Sequence, residues 1–264
     1  MKYAVISDIH SNIEALTAVL ESIEKQSVDD ILCCGDLVGY YTNPNECIEL
    51  VRANRVRSVI GNHDIGAASI REIKCWYVAE RAIRWTQGRL TAESVAALRA
   101  LPSTLVVNDQ LLLFHGALHP EQDPEDLHLY TLEDVEKSVI ALTKHPSRVR
   151  LAFFGHTHVA VIYSYRDGRL NRHEDGQATL RDDTHYLINP GSVGQPRDGD
   201  PRASYAIYDA TTNRIEFHRV AYDVASCRRK AKREGLLPDH PLKTLGKRAY
   251  RKALRMLGTL RQST

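Results

Sequence analysis

Five short apolar runs in this chain each break off at an aspartate, asparagine or histidine, and that punctuation constrains the fold more than any bulk property. Lys2 to Ser7 ends at Asp8-Ile9-His10, Asp30 to Cys34 at Gly35-Asp36, and Val56 to Ile60 at Gly61-Asn62-His63-Asp64. Leu111 to Phe114 ends at His115-Gly116, and Val149 to Phe154 at Gly155-His156-Thr157-His158. Short apolar runs bounded by turn formers read as strands. Behind the first, Ile13 to Ile23 carries apolar residues at helical spacing; behind the second, a helix runs from Pro44 to about Ala53, with Asn43 as N-cap and Pro44 in its first turn. Repeated strand, loop and helix imply parallel pairing, which gathers the loops at the carboxyl ends of the strands along one edge.

Further along, helical stretches run from about Glu72 to Gln87 and from Thr91 to Ala100, the second stopped by Pro102. Their aromatics Trp76, Tyr77 and Trp85 read as core or pocket wall. Thr104 to Val107 and Leu111 to Phe114 flank Asn108-Asp109-Gln110 as a hairpin. A helix follows from about Leu132 to Lys144, then strands at Val149 to Phe154, Val159 to Tyr165, Tyr186 to Ile188, Ala203 to Tyr208 and Ile215 to Val220. A content of 43% hydrophobic residues in 264 is ample for a large core and excludes whole-chain disorder. No run of about eighteen apolar residues occurs, and the opening MKYAVISDIHSN lacks a leader pattern, so a cytoplasmic protein without a membrane span is expected. Cys33, Cys34, Cys47, Cys75 and Cys227 form no C-x-x-C pair and read as reduced packing residues.

Net charge is +2, but from Ala221 onward twelve Lys and Arg face three acids, a surplus of nine, which leaves residues 1–220 at −7. Pro241 to Leu260 places Leu242, Leu245, Ala249, Leu254, Leu257 and Leu260 on roughly one helical stripe. Two readings stand: a helix docked on the body by that stripe, or a basic guide for a polyanion such as nucleic acid. No nucleic-acid-binding motif supports a specific module, and no feature of the chain speaks to oligomeric state.

The strand-end residues carry the chemistry. Carboxylate, imidazole and amide oxygen without thiolate suit divalent transition metals: Mn²⁺ foremost, with Fe²⁺, Zn²⁺, Ni²⁺ and Co²⁺ as alternatives. Two such ions side by side need a bridging group, and a carboxylate supplies one. A phosphoester held across the pair has its charge neutralised, and a metal-bound hydroxide can attack phosphorus in line with the leaving oxygen. Singly, each residue has a plainer reading, since Asp and Asn after a strand cap helices or form turns and a lone His is usually a surface residue. The joint pattern favours the metal reading, whereas His119, His128, His145, His173, His185, His218 and His240 match no motif.

SDIH at 7–10, GD at 35–36, GNHD at 61–64, FHG at 114–116 and GHTH at 155–158 together resemble the motif set of the calcineurin-like metallophosphoesterases, in their small bacterial and archaeal phosphodiesterase-like branch. The resemblance implies a four-layer αββα sandwich of two mixed sheets over residues 1–220, with 221–264 as a basic helical extension packed on it. It implies two divalent ions: Asp8, His10 and His158 on the first, Asn62, His115 and His156 on the second, and Asp36 bridging. His63 would stabilise the transition state or protonate the leaving group, and Asp64 would orient its ring. The expected activity is hydrolysis of phosphodiesters, nucleotide-type or small, with phosphomonoesters, phosphoproteins and dinucleoside polyphosphates as alternative substrates. A rival of another class is a protein-assembly scaffold on the same fold, which has no use for a transition-state acid such as His63. Asn12, Tyr41 and Arg197 are added as substrate-binding candidates; Asn12 also fits as a cap of the first helix, and Arg197 as a surface ion-pair partner. Tyr40 and Tyr41 both lie in the loop after Asp36, where a leaving group would sit.

Overall fold

Alternation along the strands decides which layer each side chain meets. In a computed structural model, which describes residues 1–72, 75, 77–118, 129, 131–173 and 176–236, β1 (Lys2–Ile6) buries Tyr3 and Val5 on one face and Ala4 and Ile6 on the other. Tyr3 and Val5 join Leu32, Leu111, Leu113, Leu151, Phe153 and Ile188 in a core between two sheets. Ala4 and Ile6 instead meet Leu16, Val19, Ile48, Val51 and Leu98 from helices. Likewise Leu112, Phe114, Ala152 and Phe154 turn away from the inter-sheet core to meet Val135, Val139 and Leu142. The result is four layers, helix, sheet, sheet, helix.

In chain order the remaining elements are α1 (Ile13–Glu24), β2 (Asp30–Cys33), α2 (Pro44–Ala53), β3 (Arg57–Ser58), α3 (Asn62–Ala67), α4 (Tyr77–Gln87), α5 (Ala92–Arg99), β4 (Thr104–Val107), β5 (Leu111–Phe114) and α6 (Leu132–Thr143). After them come β6 (Leu151–Phe153), β7 (Val161–Arg166), β8 (Arg169–His173), β9 (Gln177–Thr179), β10 (His185–Asn189), β11 (Ala203–Asp209), β12 (Arg214–Val220) and α7 (Val224–Arg233). One sheet runs β3-β2-β1-β11-β12-β9 and the other β4-β5-β6-β10-β7-β8. Each holds a parallel trio, β3, β2 and β1 in the first and β5, β6 and β10 in the second, with antiparallel strands completing it. The loops after β1, β2, β3, β5 and β6 therefore share one edge of the sandwich.

Helix ends follow local chemistry. Asn12 accepts from Ala15 N (3.1 Å) to start α1, whose buried face is Ala15, Leu16, Val19, Leu20 and Ile23. Asn43 stands at the N-cap of α2, but its side chain makes no capping bond; its amide donates to Glu46 and its oxygen accepts from Thr42. The third strand is shorter than the apolar run Val56 to Ile60 suggests. Val59 N still reaches Cys33 O (3.1 Å), but Ile60 N turns to Pro102 O (2.9 Å), so the chain leaves the sheet edge after Ser58.

The described part of the basic segment, residues 221–236, forms α7 and packs on the body. Asp223 caps it, Cys227, Ala231 and Leu236 are buried, and Lys230 Nζ meets Glu14 Oε1 at 3.0 Å. Ala231 and Leu236 cluster with Ala82, Tyr40, Tyr41 and Trp85. The stripe from Pro241 to Leu260, with Trp76, His119, His128 and His240, lies outside the described residues. Among the described residues no helix is long and apolar enough to cross a membrane.

Candidate metal centre

Five of the strand-end residues hold left-handed backbone: Asp8 (φ 54°), His10 (53°), Asp36 (56°), His156 (65°) and His158 (60°). Such conformations are strained for L-residues and concentrate at functional sites. Neighbouring loops pin them: Asp8 N donates to Gly35 O (3.0 Å), His10 N to Asp36 O (3.0 Å), and Gly194 N to Asp8 O (2.9 Å). Side-chain oxygens join the same mesh, with Asp8 Oδ1 accepting from His156 N (3.0 Å) and Asp36 Oδ1 from His63 N (2.9 Å). Glycine is required at 61, where a Cβ would stand 2.2 Å from Asp36 Oδ1 and 2.4 Å from Asp36 N.

The side chains gather into two adjoining clusters. In the first, Nε2 of His158 lies 3.4 Å from Asp8 Oδ1 and 3.0 Å from Nε2 of His10. In the second, Nε2 of His115 lies 3.1 Å from Asn62 Oδ1 and 3.3 Å from Nδ1 of His156, which itself is 2.8 Å from Asn62 Oδ1. Asp36 stands between them, its Oδ2 3.6 Å from Nε2 of His10 and 3.3 Å from Nε2 of His115. Except for His156, which is partly exposed, all of these residues are buried.

Hydrogen-bond logic tests whether a cation fits. Nδ1 of His10 faces Val38 O (3.2 Å), that of His158 faces Gln195 O (2.6 Å), and that of His115 faces Cys34 O (2.7 Å). A carbonyl accepts only, so in each neutral ring Nδ1 carries the proton and Nε2 presents a lone pair. Two lone pairs then meet at 3.0 Å between His10 and His158, while Nε2 of His115 points at the oxygens of Asn62 and Asp36. Asp8 Oδ2 is buried with no hydrogen-bond partner. Acceptors converging without hydrogen between them suit divalent cations, and carbonyl-fixed imidazoles are how proteins orient such ligands.

Electrostatics decides where protons would compete with a cation. Burial pushes Asp8 up to about 7 against the pull of His115. Burial would also raise Asp36, but the nearby His115 and His63 prevail and hold it well below the usual carboxylate range. Burial opposes a proton on His115, yet Asp36 outweighs it and lifts the ring to about 10. His10 and His158 are held low by burial, and His63 falls to about 4 for the same reason.

One expected contact is corrected. Asp64 does not orient His63: its two oxygens accept from Val38 N and Gly61 N, each at 3.0 Å, which caps α3 and ties the loops after β2 and β3 together. Nδ1 of His63 is buried without a hydrogen-bond partner, and its ring is held by contact with His10 (4.7 Å between centroids) and Tyr40 (4.6 Å). Asn12 has both ends of its amide engaged, with Ala15 N and with Gly194 O (2.9 Å). The Tyr41 hydroxyl sits among Cys227, Tyr222 and Arg228 and meets Gln195, so this ring faces α7; Tyr40 is the tyrosine against the histidines. Arg197 reaches the site, with Nη2 donating to Tyr40 Oη (3.3 Å) and Gln195 Oε1 (2.8 Å), and its charge acts on Asp8, His10, His63 and His158. The sequence singles out the loop Asn189 to Arg197 through Arg197 but gives no role to Gln195, whose carbonyl fixes His158.

Known proteins share this sequence pattern and fold. The sequence model of the calcineurin-like phosphoesterase superfamily domain matches residues 1–213. An uncharacterised protein of Methanocaldococcus jannaschii is 41% identical over 228 residues, which span 84% of this chain and 88% of that protein. The crystal structure of a metallophosphoesterase from Sphaerobacter thermophilus aligns with a TM-score of 0.72 at 38% identity, over 90% of this chain and 95% of that one. A hypothetical protein from Pyrococcus horikoshii shares the fold at a TM-score of 0.69 and 22% identity, over 90% of this chain and 94% of that one.

Proposed function

The chain belongs to the calcineurin-like phosphoesterase superfamily, a family of divalent-metal-dependent phosphoesterases, and from that premise we propose that it hydrolyses small or nucleotide-type phosphodiesters. The proposed ligands are Asp8, His10 and His158 for one cation and Asn62, His115 and His156 for the other, with Asp36 shared; Mn²⁺ is the proposed ion. The observation that carries the reading is the meeting of two Nε2 lone pairs, of His10 and His158, 3.0 Å apart beside the carboxylates of Asp8 and Asp36. Bound there, a cation pair would supply charge against the ester oxygens and a nucleophile drawn from water.

His63 is proposed as the group that meets the developing charge. Burial holds its ring near a pKa of about 4, so it is neutral at pH 7 and offers an N–H rather than a positive charge. That favours a diester, which brings one negative charge, over a monoester, which brings two. The cation that reaches the mouth, Arg197, has its guanidinium divided between Tyr40 and Gln195.

Steady-state hydrolysis of bis(p-nitrophenyl) phosphate and of p-nitrophenyl phosphate, after loading with Mn²⁺, tests this. Expected is a higher kcat/KM for the diester, and a roughly 10²- to 10⁴-fold loss in His63→Ala with metal content unchanged. A preference for the monoester overturns the substrate class. Inactivity on every phosphoester with both metal positions filled overturns the enzyme reading.

A further inference from the structure

The loop after β2 holds Tyr40 in a conformation that aromatic residues rarely adopt. Its φ is +48°, it follows Gly39 at +102°, and Tyr41 N donates back to Gly39 O at 2.6 Å. A bond spanning two residues makes Tyr40 the apex of a γ-turn, of the rare and strained kind with positive φ. The surroundings hold it there: Asp64 accepts from Val38 N (3.0 Å), Ser11 Oγ from Gly39 N (3.1 Å), and His10 O from Tyr41 N (3.1 Å). Strain maintained this way at a site calls for a reason in what the side chain does.

What the turn achieves is to lay the Tyr40 ring over the centre. It meets the His10 ring edge to face at 4.7 Å and the His63 ring at 4.6 Å, while the Arg197 guanidinium carbon lies 5.8 Å from its centroid. With protein on these sides, the ring is no platform for a flat ligand. The hydroxyl differs. Arg197 Nη2 donates to the phenol oxygen at 3.3 Å, so that oxygen acts as acceptor and its own proton is left to give. A cationic donor on the oxygen polarises the O–H and strengthens it as a donor. The same Nη2 is anchored by Gln195 Oε1 (2.8 Å), and Gln195 O receives Nδ1 of His158 (2.6 Å), which couples this pair to the metal cluster.

We propose that Tyr40 and Arg197 form an anion clamp in which the phenol O–H donates to a non-bridging oxygen of the bound phosphoryl group and Arg197 acts chiefly through that phenol. The clamp rests on the phosphoester reading and specifies how the site holds its substrate: it recognises the tetrahedral oxyanion, and inorganic phosphate is its simplest ligand.

The experiment titrates inorganic phosphate into Mn²⁺-loaded wild type, Tyr40→Phe, Arg197→Gln and the double variant by calorimetry, alongside kinetics on bis(p-nitrophenyl) phosphate. Phe keeps the ring contacts, so metal content and melting temperature should match wild type. Expected is about tenfold weaker phosphate binding and a KM raised by a similar factor in Tyr40→Phe, with the double variant little worse than either single one. Phosphate affinity within twofold of wild type in Tyr40→Phe, while the wild type still hydrolyses the diester, overturns the clamp and leaves the hydrolase reading standing. Phosphate binding that depends on Tyr40 in a wild type inactive on all phosphoesters supports the clamp and removes the hydrolase reading. Absence of phosphate binding by the wild type overturns the clamp outright.

Discussion

At the scale of single residues, protons and metal ions compete for the same atoms. In the metal-free protein His115 is lifted to about 10, with Asp36 outweighing the effect of burial, and burial lifts Asp8 to about 7. Both must lose their protons to bind a cation. At pH 6 both are protonated, Asp8 is released first as pH passes 7, and His115 only toward 10. Metal affinity should therefore climb steadily from pH 6 to 9, and adding Mn²⁺ to metal-free protein in weak buffer at pH 7 should release acid; an affinity independent of pH would count against these ligands. Gly61→Ala, whose Cβ would press on Asp36, should weaken metal binding about ten- to a hundredfold by competition titration. That these strand-end residues converge was legible because parallel pairing brings the ends of neighbouring strands together. The partner of Asp64 was not. Adjacency suggested His63, but a buried carboxylate goes to the donors its loops present, here Val38 N and Gly61 N. Nor does sequence tell Tyr40 from Tyr41, since a γ-turn has no periodic signature and one residue decides which ring faces the histidines.

At the scale of elements, legibility followed signal strength. The hairpin strands Thr104–Val107 and Leu111–Phe114 and the helix Pro44–Ala53 have the bounds their apolar runs and terminal residues predict. β8 and β9 were missed because Arg169–His173 and Gln177–Thr179 are polar edge strands with little apolar pattern. A cue existed: Asp167-Gly168, both at positive φ, is the two-residue turn that joins β7 to β8. Capping can be tested on α6, where Thr131 Oγ1 accepts from Asp134 N (3.1 Å) and Asp134 Oδ2 accepts from Thr131 N (2.9 Å). Thr131→Ala should cost about 1 kcal/mol. Urea unfolding should show a lower midpoint at unchanged slope.

At the scale of the whole molecule, the centre joins the two sheets. Asp8, His10, Asp36 and Asn62 follow strands of one sheet, while His115, His156 and His158 follow strands of the other. A cation shared among them would be a bond across the sandwich and would stabilise the folded state by mass action, about 2.7 kcal/mol at a hundred times its Kd. Thermal melts with chelator should lie several degrees below those with excess Mn²⁺, and coincident melts would show that the ions contribute nothing to holding the sheets together.

The pairing of β1 sets a condition on how the protein is made. Lys2 lies opposite Asp209 and Val5 opposite Ala206, and the Asp8 loop is closed by Val193 and Gly194. In synthesis β1 thus waits for a partner some two hundred residues behind it. At ordinary elongation rates that is about ten to forty seconds, during which the edge of Tyr3 to Ile6 that β11 will cover stays unpaired. A cation pair held by these residues could not assemble until synthesis has passed the strands that complete both sheets, so metal acquisition would follow β10 and β11.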